Sequence, residues 1–391
     1  MSQEAYIVAA SRTAIGKAKK GGFRFSTPVD LAYHAITDLL KKVPGLDPMR
    51  VDDLIVGNAV PEAEQGLQMA RWVAVRSLPV EVPGVTVNRY CGSGVETIAM
   101  ATAKIRAGMA DVVIAGGTES MSLVPTVGYK TVPNYEISKD HADYYIGMGL
   151  TAENIADKYG ITREQSDEFS FNSHKKAVAA IEAGKFKEFI VPVEVEEVYY
   201  EGGKKKARKF VVDSDEGPRK DTSVEGLAKL KPVFKNGGQV TAGNSSQTSD
   251  AAAFVMVVSE RVVKELGLKP IARCVTSASV GVDPTIMGMG PVAAIPKALK
   301  QANLNLSDIG VIELNEAFAA QALGVIKVAE LNQDIINVNG GAVALGHPLG
   351  ASGTYLFMKL LEEQRARNSK YGIVSACIGG GQGIAGVFEM L

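Results

Sequence analysis

The sequence predicts an α/β fold built from two similar units, with an α+β loop domain inserted before the last strand of the first. Three observations predict it. Short β-branched runs alternate with helical spacings in both flanking regions, the pattern of a largely parallel sheet. The same order of elements returns after 255 or 256 residues: residues 307–312 parallel residues 52–57, and His347 falls opposite Cys91. Within the first copy, residues 119–248 are richer in Pro, Tyr, Lys and Asp and break the alternation. The expected division is 1–118 plus 249–268 for the first unit, 119–248 for the insert and 269–391 for the second unit.

Each element has a local reason. Residues 5–11 read as a strand. Residues 28–42 read as an amphipathic helix, with Leu31, Ala35, Ile36, Leu39 and Leu40 at helical spacing. Residues 53–58 form a second strand and 65–75 a helix. A β-branched strand at Val85, Thr86 and Val87 breaks at Cys91-Gly92-Ser93-Gly94 and resumes as a small-residue helix over 95–105. Residues 110–117 form a strand ending in glycines. In the insert, a loop section (121–149) precedes helices over 151–159 and 162–183, the second with a cap region at Thr162, Glu164 and Gln165. A hairpin over 191–212 turns at Glu201-Gly202-Gly203, and its run Lys204-Lys205-Lys206-Ala207-Arg208-Lys209 reads as a solvated tip. The apolar strand 251–259 completes the first unit. The second unit repeats the scheme: strand 270–275, helix 292–302, strand 307–312, strand 335–339, a glycine-rich turn into helix 350–361, and strand 370–377.

Composition narrows the function. With 46% apolar and 22% charged residues, the 391-residue chain reads as an ordinary soluble protein with room for large cores. A net charge of −1 gives no field to recruit nucleic acid or an anionic membrane. No apolar run is long enough to span a bilayer, and the start lacks the basic and apolar regions of a secretory signal. Three scattered cysteines, Cys91, Cys274 and Cys377, argue against a disulfide framework or a metal site and fit a reducing cytoplasm.

Cys91 ends a strand and begins a helix, where unpaired N–H groups favour a thiolate. That position predicts a thiol pKa below its usual value; a buried cysteine in a packed turn is the plainer reading. His347 lies between Gly346 and Pro348, at the turn into the equivalent helix of the second unit. It can take a thiol proton, which is how a paired cysteine is activated. If two similar units sit side by side, both turns face one crevice beyond the strand ends. Of the other histidines, His34 and His174 lie in helical stretches without a role, and His141 is in a charged loop. Cys377 also ends a strand at a glycine-rich turn, as a redox partner, a packing residue or a proton shuttle. The pattern Gly381-x-Gly383-x-x-Gly386 has no helix after it, so it is not a dinucleotide fingerprint. Asn315, after a strand, can fix a water or a carbonyl oxygen, or cap a helix.

Four blocks together resemble the thiolase family: Asn88-Arg89-Tyr90-Cys91-Gly92-Ser93-Gly94, Asn315-Glu316-Ala317-Phe318, Gly346-His347-Pro348 and Cys377-Ile378-Gly379-Gly380-Gly381. The resemblance covers essentially the whole chain, the insert included. It implies duplicated αβα units with mixed sheets. It further implies that Cys91 is the nucleophile that carries the acyl group and that His347 deprotonates it. Cys377 would be the acid and base at the α-carbon of acetyl-CoA. Asn315 would hold a water that, with His347, forms one oxyanion hole. The N–H groups of Cys91 and Gly379 would form the other. Arg219, Ser246, Phe234, Phe318 and Met148 would lie along the channel for coenzyme A, which is a substrate. No metal or organic cofactor is implied. Partners would be acyl-CoA, acetyl-CoA and CoA, in a homodimer or homotetramer with residues 121–145 at the tetramer contact. Short-chain biosynthetic members carry a histidine where this chain has Gly147, which leaves room for longer acyl chains. A condensing synthase of the same superfamily pairs its cysteine with two His, or His and Asn, so Cys377 argues against that alternative. A non-catalytic homologue would lack one of the four groups.

Overall fold

The computed structural model describes residues 3–391. Ten strands form one mixed sheet. Its spatial order is Ile309–Leu314, Tyr371–Ile378, Gln382–Met390, Ala272–Gly281, Ala5–Arg12, Ser249–Ser259, Val112–Ser120, Asp53–Gly57 and Gly84–Val87, with Gly16–Lys17 beside Ser249–Ser259. The halves meet where Ile7 pairs with Ala272. Read outward from that junction, the two halves repeat each other. In each, two antiparallel neighbours are followed by parallel strands. The expectation of a largely parallel sheet is therefore corrected. Ser249–Ser259 and Gln382–Met390 run antiparallel to both neighbours; the second returns directly from Tyr371–Ile378 by a tight turn, and the first returns beside Val112–Ser120 after the insert.

The helices Ser93–Arg106 and Leu349–Arg367 form a central layer that packs on strands of both halves. They cross where glycines remove side chains. A Cβ on Gly94 would stand 2.5 Å from Thr354 N, and one on Gly353 would stand 2.4 Å from Val95 N. Being enclosed, Leu349–Arg367 is buried on nearly every side. Even Lys359 is buried, its ammonium held by Glu313 at 2.6 Å and the Gly340 carbonyl at 2.6 Å. The outer face of the first half is covered by Pro28–Lys41 and Met69–Ser77, that of the second by Gly290–Ala302 and Ala319–Val328. Thr27 caps the first of these helices, with Pro28 at its first position.

Two local expectations fail for visible reasons. The helix expected over 65–75 starts at Met69, because Leu67 and Gln68 adopt positive φ and the Gln68 side chain is drawn to Thr86. The strand expected over 335–339 is reduced to one bridge, Ile312 to Ile336. Asn337 turns left-handed at φ 43°. Its side-chain amide then takes both backbone groups of Leu314, at 2.9 and 2.7 Å, where a strand's backbone would bond. The insert holds Met148–Tyr159, the capped helix Arg163–Glu182 and the hairpin Val193–Glu201/Lys204–Val212. Gly202 and Gly203 both have positive φ, as a tight two-residue hairpin turn requires. The basic run is exposed and pairs with glutamates of its own hairpin.

Candidate active site

Cys91 lies in a single turn, Tyr90–Gly92, between the strand Gly84–Val87 and the helix Ser93–Arg106. The turn is strained and braced. Tyr90 has φ 42°, rare for a bulky residue. The Asn88 carboxamide accepts from Tyr90 N at 2.9 Å and donates to Ala59 O at 3.0 Å. Ser93 Oγ accepts from Arg89 N at 2.9 Å and donates to Tyr90 O at 2.7 Å. Gly92 must lack a side chain, since a Cβ there would sit 2.7 Å from Ile378 of the other half. Cys91 is buried beside Ala59, Val60, Met121 and Leu349. Its sulfur faces two backbone N–H groups, its own and that of Gly379.

The expected low pKa of Cys91 is not what the site produces. Burial pushes the thiol up to about 12; the two N–H bonds offset only part of this, and the Glu119 carboxylate raises it further. The position beside a helix N-terminus is as expected, but no cation faces the sulfur, so desolvation wins. Cys91 is a thiol at rest.

His347 is buried and held at three atoms. Its N–H donates to Gln247 O at 2.9 Å, Nδ1 meets Ser352 Oγ at 2.6 Å, and Nε2 meets Asn315 Nδ2 at 3.2 Å. An amide nitrogen can only donate, so Nε2 accepts and the ring proton sits on Nδ1, facing Ser352. Ser352 in turn donates to Pro348 O at 3.1 Å. Burial lowers the imidazole to a pKa of about 4, so it is neutral and can accept a proton.

Asn315 follows the strand Ile309–Leu314 and donates its N–H to Ser375 O at 2.8 Å, two residues before Cys377. Its Oδ1 is buried without a partner, which suits a bound water or a substrate oxygen. Cys377 ends the strand Tyr371–Ile378, fully buried against Ala317, Phe318, Met287 and Met148. Burial drives its thiol well above the usual range, and Cys91 is near enough to raise it further. Gly379, two residues on, lies under Met148, whose sulfur would be 3.5 Å from a Cβ there.

Phe318 meets Phe234 edge to face at 5.9 Å, and Phe234 also packs over Gly149 next to Met148. Ser246 is tied to the same strand end by its N–H to Ala317 O at 2.9 Å. Phe318 and Met148 thus pack on Cys377, Gly379 faces Cys91, Phe234 and Ser246 pack or bond beside Phe318, and His347 is bonded to Asn315. Arg219 makes its contacts elsewhere. It is exposed, paired with Asp221, and its N–H donates to His174 Nδ1 at 3.2 Å. It lines a cavity of about 420 Å³ with His174, Lys175, Lys220 and Thr222. Sequence reasoning missed Ser352 and Glu119, both inside the quoted or adjacent glycine-rich stretches. A hydroxyl five residues after His347, in the first turn of the helix that follows it, was the available signal for Ser352.

The arrangement offers a covalent nucleophile, a neutral base, a second thiol and N–H donors aimed at the first sulfur. Comparison with known proteins agrees along the whole chain. Residues 5–261 match the model of the thiolase N-terminal domain and residues 268–390 that of the C-terminal domain. The chain is 50% identical to the 3-ketoacyl-CoA thiolase of Bacillus subtilis, over 99% of this chain and 100% of that one. It is 43% identical to an acetyl-CoA acetyltransferase of Pseudomonas aeruginosa, over 98% of each. Among solved structures, human mitochondrial 3-ketoacyl-CoA thiolase superposes with a TM-score of 0.88 at 39% identity, covering 100% of this chain and 99% of that one. Bacillus anthracis acetyl-CoA acetyltransferase gives the same TM-score, 0.88, at 38% identity and the same coverage, 100% and 99%. With both domain models matched in order and a relative 50% identical over nearly the whole chain, this chain belongs to the thiolase family.

Proposed function

We propose that this enzyme catalyses CoA-dependent cleavage of 3-oxoacyl-CoA to acetyl-CoA and a shortened acyl-CoA, and the reverse Claisen condensation. Three contacts support the reading: Cys91 is near enough to Cys377 to raise its pKa, Cys91 packs beside Leu349, two residues after His347, and His347 is hydrogen-bonded to Asn315.

In the cleavage direction, Cys91 gives its proton to His347 Nε2 as its sulfur attacks the 3-keto carbon. The C2–C3 bond breaks and its electron pair goes to C2. Cys377 protonates that carbon, and acetyl-CoA leaves. The thiol of a second CoA then gives its proton to the Cys377 thiolate and attacks the acyl-Cys91 thioester. Acyl-CoA departs, and Cys91 recovers its proton from His347. Two thiols are needed because the one that holds the acyl group cannot also move the proton. The high pKa of Cys377 suits a base that must remove a weakly acidic α-proton in the other direction. The N–H groups of Cys91 and Gly379 serve the oxyanion at the acyl-cysteine. Asn315 and His347 serve the enolate oxygen, Asn315 through a water. A preorganised donor of this kind is worth about 2.7–4 kcal/mol.

Met148, Phe318 and Phe234 would border the acyl and pantetheine end, Ser246 the pantetheine amide and Arg219 the nucleotide. A Cβ at Gly147 would meet nothing within 4 Å, which supports a reading in which longer acyl chains pass beside Met148. The edge strand Gly84–Val87, flanked by exposed Leu67, Trp72 and Val80, suits a homodimer contact. Residues 121–145 carry exposed Val127, Tyr129, Val132 and Tyr135, which suit a tetramer contact. Among the described residues no helix is long and apolar enough to cross a membrane. We propose a cytoplasmic enzyme that works without nucleic acid, membrane, metal or organic cofactor, with domain limits at 118/119, 248/249 and 268/269.

The test is CoA-dependent cleavage of 3-oxoacyl-CoAs of increasing length. Formation of acetyl-CoA, with activity extending beyond the four-carbon substrate, is expected. No cleavage at any length, or activity only on acyl-carrier thioesters, would overturn it.

A further inference from the structure

Glu119 is a fully buried carboxylate at the end of the strand Val112–Ser120, and no cation among the described residues pairs with it. Among the described residues, each of its hydrogen-bond partners is a donor. Oε1 accepts from Gln65 Nε2 at 2.8 Å and Asn58 Nδ2 at 3.1 Å. Oε2 accepts from Ala59 N at 2.9 Å and Gly350 N at 2.8 Å. Burial raises the pKa of this carboxyl, and the donors offset only part of the rise; a protonated carboxyl would leave its own O–H without an acceptor, so the geometry fits the ionised form.

The two bonds to Oε2 reach the two halves of the catalytic apparatus. Gly350 lies in the first turn of the helix Leu349–Arg367, three residues after His347, where the helix dipole favours an anion. Ala59 holds Asn88 through its carbonyl, and Asn88 holds Tyr90 N, the residue before Cys91. The fit allows no substitute at this point. A Cβ on Gly350 would stand 2.8 Å from Glu119 Oε2 and 2.7 Å from Asn58 Cα.

We propose that Glu119 is a positioning residue for the reaction at Cys91, a single ionised oxygen that locks the His347 helix to the Cys91 turn and fixes the spacing between base and nucleophile. The inference rests on the proposed thiolase reaction. It adds a cost with a purpose. The same anion opposes formation of a free thiolate, so Cys91 loses its proton only where His347 is aligned to take it. Any substitution that removes the charge therefore pulls two readouts apart. The thiol ionises more easily while turnover falls.

The experiment compares wild type, Glu119→Gln and Glu119→Asp. First, thiolysis by the wild type is measured; absence of activity there refutes the proposed function and not this inference. In Glu119→Gln, the amide nitrogen meets two donors. Turnover should fall on the order of 100-fold. The midpoint of Cys91 alkylation by iodoacetamide, followed by peptide mass spectrometry, should move to lower pH, with Cys274 unchanged. Glu119→Asp keeps the charge but withdraws it by one methylene. Its alkylation midpoint should stay at the wild-type value while turnover still falls. If Glu119→Gln does not fold, the Asp variant decides alone. Wild-type turnover in either variant, or an alkylation midpoint that ignores the charge, would overturn the proposal.

Discussion

The turns at Cys91 and His347 hold equivalent places in the two halves, each at the start of a central helix, yet they are built differently. The first follows a true strand, Gly84–Val87, and is tightened by Asn88, Ser93 and a left-handed Tyr90. The second has lost that strand. Asn337 stands in for it with a side-chain amide, and the turn is fixed by Gln247 from the insert and by Ser352. Duplication explains why two helix N-termini share one crevice. It does not explain the chemistry of either. One end carries a thiol under strain, the other a neutral imidazole whose tautomer is set by a hydroxyl. The lesson is that the scaffold fixes places while a few side chains near each turn decide which chemical step happens there.

That asymmetry can be broken from either side. Cys91→Ala removes the covalent step, so thiolysis should fall by on the order of 10⁴-fold or more. CoA binding, followed by calorimetry, should persist. Substantial turnover without Cys91 would erase the distinction between the turns.

Ser352→Ala frees His347 Nδ1 without touching substrate. A loss of roughly 10- to 100-fold in kcat with KM little changed is expected, by analogy with outer partners that orient histidine ligands. Ser352→Thr should recover part of it. An equal rise in KM would mean that the hydroxyl shapes the channel instead.

Acid should act on the histidines. His347 and His174 both have folded pKa values near 4, below the ordinary 6.5, through burial, with Arg219 and Lys17 adding to the effect at His174. The unfolded chain therefore binds these protons first. Their contribution to stability is complete above about 6.5 and is lost as the pH falls toward 4. The thermal midpoint should drop across that window, and less in a His174→Gln variant.

The smallest effect on activity is expected at the false strand. Asn337→Leu leaves the Leu314 backbone groups unbonded and should cost about 1–3 kcal/mol of stability by denaturant unfolding. Turnover per folded molecule should change less than tenfold. A larger loss would make Asn337 part of the site through its bond to Glu316 at 2.8 Å.

Much of this was legible in the chain. The repeat places Ser93 and Leu349 at matching helix starts, and Gly202-Gly203 announces its turn. The four blocks lead to the residues around both thiols. What could not be read depends on distant neighbours. The Cys91 turn looks like a site for a thiolate until burial and Glu119 are counted. Residues 335–339 have a strand's composition, but Asn337 spends its side chain on Leu314. Glu119 sits in a glycine-rich strand end whose local pattern says nothing of Gly350, 231 positions away. The antiparallel strands have the same apolar runs as parallel ones, since both are buried on two faces.

The most direct test of the division of labour between the sulfurs uses Cys377→Ala with acetyl-CoA deuterated at the methyl group. Mass spectrometry should find the acetyl group on Cys91, while the deuterium stays on carbon in a mixture where the wild type washes it out to solvent. Wash-out at the wild-type rate without Cys377, or no acetyl group on Cys91, would contradict the account.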